Sequence, residues 1–233
     1  MNRIVKDAEI RRAEILDTAQ QLFLQKGYEQ TSIQDIIDVI GIAKGTFYHY
    51  FDSKSQLLNE LIGRMLNQTV QMVEPIVRDE NLDALEKFQL YFSEIVSWKT
   101  ENKAFMLDIL RAWYRNENAI FRFKLTAASI EAVVPPLTTI IHQGVAEGVF
   151  TTCYPDDIGE IILSTMRSLS EGVALMILNE EERAILNEEE RANMLSTMER
   201  KSAVHQYAIE RLLGAPAGSL QLFDIQRLHE WVV

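Results

Sequence analysis

Apolar residues recur along most of this chain at helical spacing. Ile33, Ile36, Ile37 and Ile40 fall at i, i+3, i+4 and i+7, which is one face of a helix. Gly41 interrupts that pattern as a tight turn between helices requires. Phe47 and Phe51, four residues apart, then bury together and leave Lys44, Thr46, Tyr48 and His49 pointing outward. Before this stretch, Ile15, Leu16, Ala19, Leu22 and Phe23 form the buried stripe of a helix over about 6–26, with Gly27 just past its end. After it, the pattern predicts a long helix over about 54–77 that Pro75 ends or kinks. Further helices are predicted over about 82–98, 103–114, 118–146, from about 155, and over 188–213. Pro135-Pro136 removes two backbone donors inside the third of these, so a break or strong kink is expected there.

Helix starts add detail. Thr31 or Ser32 can cap the helix beginning at Ile33, with Gln34 or Asp35 as the reciprocal partner. Ser53 and Gln56 repeat that arrangement. Lys54 then sits in a first helical turn, where a cation opposes the helix dipole, and a nearby phosphate would resolve the conflict. Tyr48 diverges by about 100° from the Phe47 face, which suits a phosphate donor with a flat ring. Tyr50 lies nearer the buried side and can serve both roles. Thr46 and His49 are the candidates for base edges.

Two short helices about a glycine turn, the second presenting polar and aromatic side chains, make a helix–turn–helix. The stretch 31–58 resembles the DNA-binding signature of the TetR (tetracycline-repressor) family of bacterial regulators. The resemblance rests on Thr31-Ser32, on Gly41-Ile42-Ala43-Lys44-Gly45-Thr46-Phe47-Tyr48, and on Tyr50-Phe51 with Ser53-Lys54. It covers the first quarter of the chain. It implies that Thr31, Ser32, Lys44, Gly45, Thr46, Tyr48, His49, Tyr50 and Lys54 form the DNA-binding surface. It also implies a homodimer on a palindromic operator in double-stranded DNA, released by a small effector.

Composition narrows the remainder. The 233 residues hold 47% hydrophobic positions but only 5 prolines and 10 glycines, which favours an all-α fold with a sizeable core. No run reads as a membrane span or a signal peptide, and one cysteine, Cys153, permits no intrachain disulfide, so a cytoplasmic location is expected. The net charge of −11 disfavours DNA binding until it is divided. Residues 1–55 carry 7 Lys/Arg and 8 Asp/Glu, whereas the rest carry 16 and 26, so nearly all the acidity lies outside the helix–turn–helix. Arg3, Lys6, Arg11 and Arg12 form either a solvated face or a basic arm near the DNA backbone.

There is no Gly-rich phosphate loop, no HExxH and no Cys/His cluster, so neither enzyme chemistry, a metal nor a cofactor is expected. Aromatics between about 88 and 123 supply core and, in part, an apolar pocket between helices. Phe88, Phe92, Phe105, Met106, Trp113 and Phe121 are its candidate walls, with His142 and Arg167 as polar anchors for a mostly apolar effector. Arg167 and Glu171, at i and i+4, are equally placed to pair with each other. The helix after about 155 is apolar over more surface than one neighbouring layer covers. The resemblance implies that it pairs with the last helix across a dimer, through Ile158, Ile162, Leu169, Val173, Leu195, Ile209 and Leu212. Between them ILNEEERA occurs twice, at 177–184 and 185–192, and a break near Asn179 with a fresh start at Asn187 is expected. After Gly214, Leu220, Phe223, Leu228 and Trp231 mark an extension that docks on its own domain or on a partner subunit.

The expectation is therefore an all-α protein with a three-helix DNA-binding unit at 1–52, a larger helical ligand-binding and dimerisation domain at 53–214, and an extension at 215–233. Its function would be that of a ligand-responsive regulator, most simply a repressor. The alternative is a helical small-molecule-binding or protein-interaction dimer without operator binding.

Overall fold

The computed structural model describes residues 8–101, 103, 119–181 and 187–224. Among these are eight α-helices and no strand: α1 (Ala8–Lys26), α2 (Ile33–Ile40), α3 (Lys44–Tyr50), α4 (Lys54–Arg78), α5 (Ala84–Glu101), α6 (Ala119–Glu147), α7 (Ile158–Glu181) and α8 (Glu188–Leu213). The all-α fold is as the periodicity predicts. The helix expected over 103–114 lies almost wholly outside the described residues. So do Arg3, Lys6, Leu228 and Trp231.

The break allowed at Pro135-Pro136 is corrected. The helix α6 runs through Pro135 and Pro136 without interruption. Leu137, Ile140 and Ile141 directly after the prolines are fully buried, so core packing holds the turn that propensity alone would open. The buried Tyr91 hydroxyl donates to the Val133 carbonyl at 2.8 Å, a tertiary bond that ties α5 to α6 just before the prolines. The helix α7 ends at Glu181, two residues past the expected break near Asn179. The fresh start at Asn187 is present, with a capping box to Glu190.

Packing divides the chain into two units. The first comprises residues 1–66 and 107–128. Its core joins Ile15 and Ala19 of α1, Ile36 of α2, Phe47 and Phe51, and Leu57 and Leu58 of α4. Phe121, Leu125 and Ala128 of α6 pack against that same core. The Lys124 ammonium donates to Ser55 Oγ at 2.7 Å and Asn59 Oδ1 at 2.9 Å.

The second unit comprises residues 67–106 and 129–233. Phe88, Tyr91, Leu137, Ile140 and Phe150 are its largest buried side chains. The Phe150 ring lies against Gly144, where an added Cβ would stand 2.1 Å from a ring carbon. Lys87 is buried here and donates to the Val77 carbonyl at 2.9 Å and to Gln143 Oε1 at 2.8 Å. Beyond the left-handed Gly214, residues to Leu222 fold back onto this unit, with Leu220 and Leu222 buried. The division between the units falls inside α4 and inside α6.

By length and composition α6 is apolar enough to cross a membrane, contrary to the expectation that nothing in the chain would be. Four of its apolar side chains, Val133, Leu137, Ile140 and Ile141, are buried in the protein's own core.

Candidate nucleic-acid interface

The interface is built on α2, Gly41 and α3. Ser32 caps α2: its Oγ accepts the Asp35 N–H at 3.0 Å, and Asp35 accepts the Ser32 N–H at 2.7 Å. The Ser32 hydroxyl donates to Asp35 at 2.7 Å and the Lys26 ammonium at 3.1 Å. These bonds from Ser32, and then Lys26, hold the Asp35 carboxyl down at about 2, against an ordinary 3.8. A lowered folded-state value means the cap contributes stability above pH 3.8, and that contribution disappears as pH falls toward 2. A carboxyl NMR titration should place the Asp35 midpoint near 2, and Ser32→Ala should return it toward 3.8. An unchanged midpoint in that variant would contradict the assignment.

Gly41 ends α2 in the left-handed region (φ 72°), where its N–H reaches the Ile37 carbonyl at 2.9 Å. A side chain with Cβ is strained there, which is why the turn takes glycine. Ala43 then begins α3 without a side-chain cap. Phe47 is fully buried, and its ring centroid lies 5.9 Å from that of Phe51. Anchoring α3 on that side fixes the opposite side outward. Lys44, Gly45, Tyr48 and His49 are exposed and Thr46 is half-buried. Tyr48 is 44% exposed and rests edge-on against Phe47. The Lys44 ammonium stands 6.0 Å from the Tyr48 ring centroid. A Cβ on Gly45 would meet nothing within 4 Å, so the free fold does not require glycine there. Tyr50 is half-buried against the core, with its ring 5.0 Å from His49.

Several expected DNA contacts have other work. Thr31 is buried, and its hydroxyl donates to the Gly27 carbonyl at 2.7 Å, so it secures the α1–α2 connection and cannot reach a phosphate. The Lys54 ammonium donates to the carbonyls of Tyr28 at 2.8 Å and Thr31 at 3.0 Å, and sits 4.3 Å from the Tyr28 ring centroid. Those carbonyls supply the negative partner that the sequence argument sought in a phosphate. Arg11 bonds Glu14, while Arg12 bonds Glu60 and the Tyr50 carbonyl and lies over the Phe51 ring. Neither acts as a free basic arm. The Ser53 cap is present, but the Gln56 side chain accepts from the Asp52 N–H one residue further back.

The other two candidate sets divide. Phe88 and Phe92, with ring centroids 5.2 Å apart, are buried in the second unit. Phe121 packs against the core of the first unit. His142 is exposed and bonds Asp156 at 2.7 Å, which places it at the surface. Phe105, Met106 and Trp113 lie outside the described residues. Of the dimer set, Ile158, Ile162, Leu169 and Ile209 are buried within the subunit and cannot face a partner. Val173, Leu195 and Leu212 are half-buried. Among the described residues, the large apolar side chains that α7 and α8 expose are Ile161 and Leu175, and Val204 and Tyr207.

Comparison with known proteins agrees with this arrangement. Residues 15–61 match the family model for bacterial regulatory proteins of the tetR family, and residues 110–175 match that of the tetracyclin repressor-like C-terminal domain. The HTH-type transcriptional repressor KstR2 of Mycobacterium tuberculosis is 34% identical over 92 residues, 40% of this chain and 46% of that protein. The chain thus spans about half the length of that curated relative. A TetR-family regulator from Syntrophomonas wolfei shares the fold with a TM-score of 0.62 at 21% identity, over 87% of this chain and 96% of that one. RolR, solved in complex with resorcinol, does so with a TM-score of 0.56 at 17% identity, over 96% and 93%. The chain belongs to the TetR family of bacterial transcriptional regulators.

Proposed function

We propose that this protein is a dimeric, cytoplasmic repressor that binds a palindromic operator through α3 and leaves it when a small effector occupies the second unit. The observation that carries the reading is the two-sided α3. Phe47 fixes it to the core while Lys44, Thr46, Tyr48 and His49 face outward. Ser32 and Tyr50 flank that face. In this reading Lys44 and Tyr48 hold phosphates, and Thr46 and His49 meet base edges in the major groove. Gly45, with open space where a Cβ would be, lets the helix approach the duplex closely. Lys54 acts indirectly, by holding the α1–α2 connection.

Dimerisation would use Ile161 and Leu175 with Val204 and Tyr207, because these apolar side chains remain exposed on the last two helices. A two-fold dimer presents two copies of α3, which must lie about 34–36 Å apart to enter successive major-groove turns. The helices α4 and α6 are each continuous across the division between the units. An effector that shifts either one would change the spacing of the reading heads, and effector and DNA would weaken each other equally.

Fluorescence anisotropy with the protein's own promoter and a scrambled duplex tests the reading. Tyr48→Ala should weaken binding to every sequence, whereas changes at Thr46 or His49 should alter which sequence is preferred. Equal affinity of the unaltered dimer for promoter and scrambled DNA would point instead to a helical binding protein without operator recognition.

A further inference from the structure

We infer that Arg12 of α1 is a positioning residue for DNA recognition: it sets the direction in which α3 meets the duplex without touching DNA itself. This deepens the proposed function and rests on it. The helix α3 has 7 residues and no side-chain cap at Ala43. The buried Phe47 ring fixes its middle. One fixed point leaves a rod free to swing about it, so the axis needs a second. Arg12 supplies that point at the C-terminal end. Its Nη1 donates at 3.2 Å to the carbonyl of Tyr50, the last residue of α3. A helix C-terminus leaves such a carbonyl without an internal partner, and a cation there also meets the negative end of the helix dipole. The guanidinium is itself held from two sides. Its Nε donates to Glu60 Oε1 of α4 at 2.6 Å, its Nη2 bonds Glu60 Oε2, and its Cζ lies 4.7 Å from the Phe51 ring centroid. This bidentate fork is a directional tie that a lysine point charge cannot reproduce. Together α1 and α4 thus aim the end of α3 that carries Tyr48 and His49.

Magnitudes separate this role from two others. The Arg12 side chain is 41% exposed and that of Glu60 30%, and an ion pair so wet contributes little to folding. Nor does the pair offer charge to the DNA backbone, since the Glu60 carboxylate already answers the guanidinium. What it supplies is direction. Base-edge hydrogen bonds tolerate only about 0.5 Å of misplacement. Attraction to phosphates survives much larger displacements. Losing the tie therefore costs sequence preference and spares general affinity. The same pair of helices carries a control. Arg64 of α4 bonds Asp17 and Gln20 of α1, and those bonds involve no part of α3.

The test measures anisotropy of the full-length dimer on its own promoter and on a scrambled duplex across a salt series, with thermal melts alongside. Arg12→Met keeps an apolar stem over Phe51 and removes every donor. It should cut the ratio of promoter to scrambled affinity about fivefold or more and leave the scrambled affinity and the salt slope unchanged. It should melt within about 4 °C of the parent. Arg64→Met should show the same small change in Tm with the ratio intact. Glu60→Gln should lower the ratio in the same direction. Adding it to Arg12→Met should lower the ratio no further, because Glu60 acts only through Arg12. Equal weakening on both duplexes, with a salt slope reduced by about one, makes Arg12 a phosphate contact and overturns the inference. So does an Arg12→Met that melts far below Arg64→Met, or one effect on the ratio shared by both variants, since Arg12 would then be ordinary packing. If the parent prefers its promoter and Arg12→Met keeps that preference, only the inference fails. If the parent itself shows no preference, the repressor reading fails and the inference with it.

Discussion

Replacing Phe47 with alanine lowers the stability of the first unit by about 3–5 kcal/mol, the range for deleting a buried aromatic ring. Its side chain is 0% exposed and touches both Phe51 and Tyr48. The helix that carries it is only 7 residues long, too short to persist by its own propensity. Burial of this ring is therefore what makes α3 a helix, and its loss abolishes DNA binding by disordering the reading face. The neighbouring Tyr48→Ala removes an exposed ring and should stay within about 0.5 kcal/mol of the parent in denaturation. Urea denaturation of the two variants beside the parent, with amide exchange across α1–α3, checks both values. A comparable loss of stability in the two would mean that the faces of α3 have been assigned the wrong way round.

The same contrast shows what the sequence makes legible. Local rules act within a few residues, and their outcomes were readable: the Ser32 cap, the left-handed Gly41, the Phe47/Phe51 pair and the bounds of α8. The role of Lys54 was not, because its partners lie 23 to 26 residues away in the chain and are backbone carbonyls that carry no sequence signal. Arg12 and Glu60 are separated by 48 positions, and Lys124 reaches Ser55 across 69. No local pattern announces such pairs. The prolines of α6 misled for a related reason. Their local cost is legible, but the buried residues after them that hold the helix together belong to the tertiary fold. In α7 the apolar stripe is wide enough to hold an inward and an outward face. Periodicity alone could not say that Ile158, Ile162 and Leu169 turn inward while Ile161 turns out.

Glu210→Ala should cost roughly 1–3 kcal/mol, since it leaves the buried Leu220 N–H without an acceptor, whereas the N–H of the exposed Gly218 can turn to water. Glu210 is 2% exposed, and its carboxylate accepts the Gly218 N–H at 3.0 Å and the Leu220 N–H at 3.2 Å. No described cation pairs with it. The Gln206 amide adds only a long bond to the carboxylate at 3.5 Å, so its main donors are the backbone groups of the segment that turns back after α8. The Thr151 hydroxyl, donating to the Gly214 carbonyl at 3.0 Å, secures the start of that segment. Its far end brings Leu220 and Leu222 into the core. Residues 214–222 therefore complete the second unit, and the carboxylate is their main polar tie. Glu210→Gln keeps one acceptor oxygen and should fall between the parent and Glu210→Ala. Denaturation combined with limited proteolysis reads both consequences, because the alanine variant should become cleavable between Gly214 and Leu222. If it denatures like the parent and stays protected there, apolar burial of Leu220 and Leu222 suffices to hold the segment, and the carboxylate contributes nothing to it.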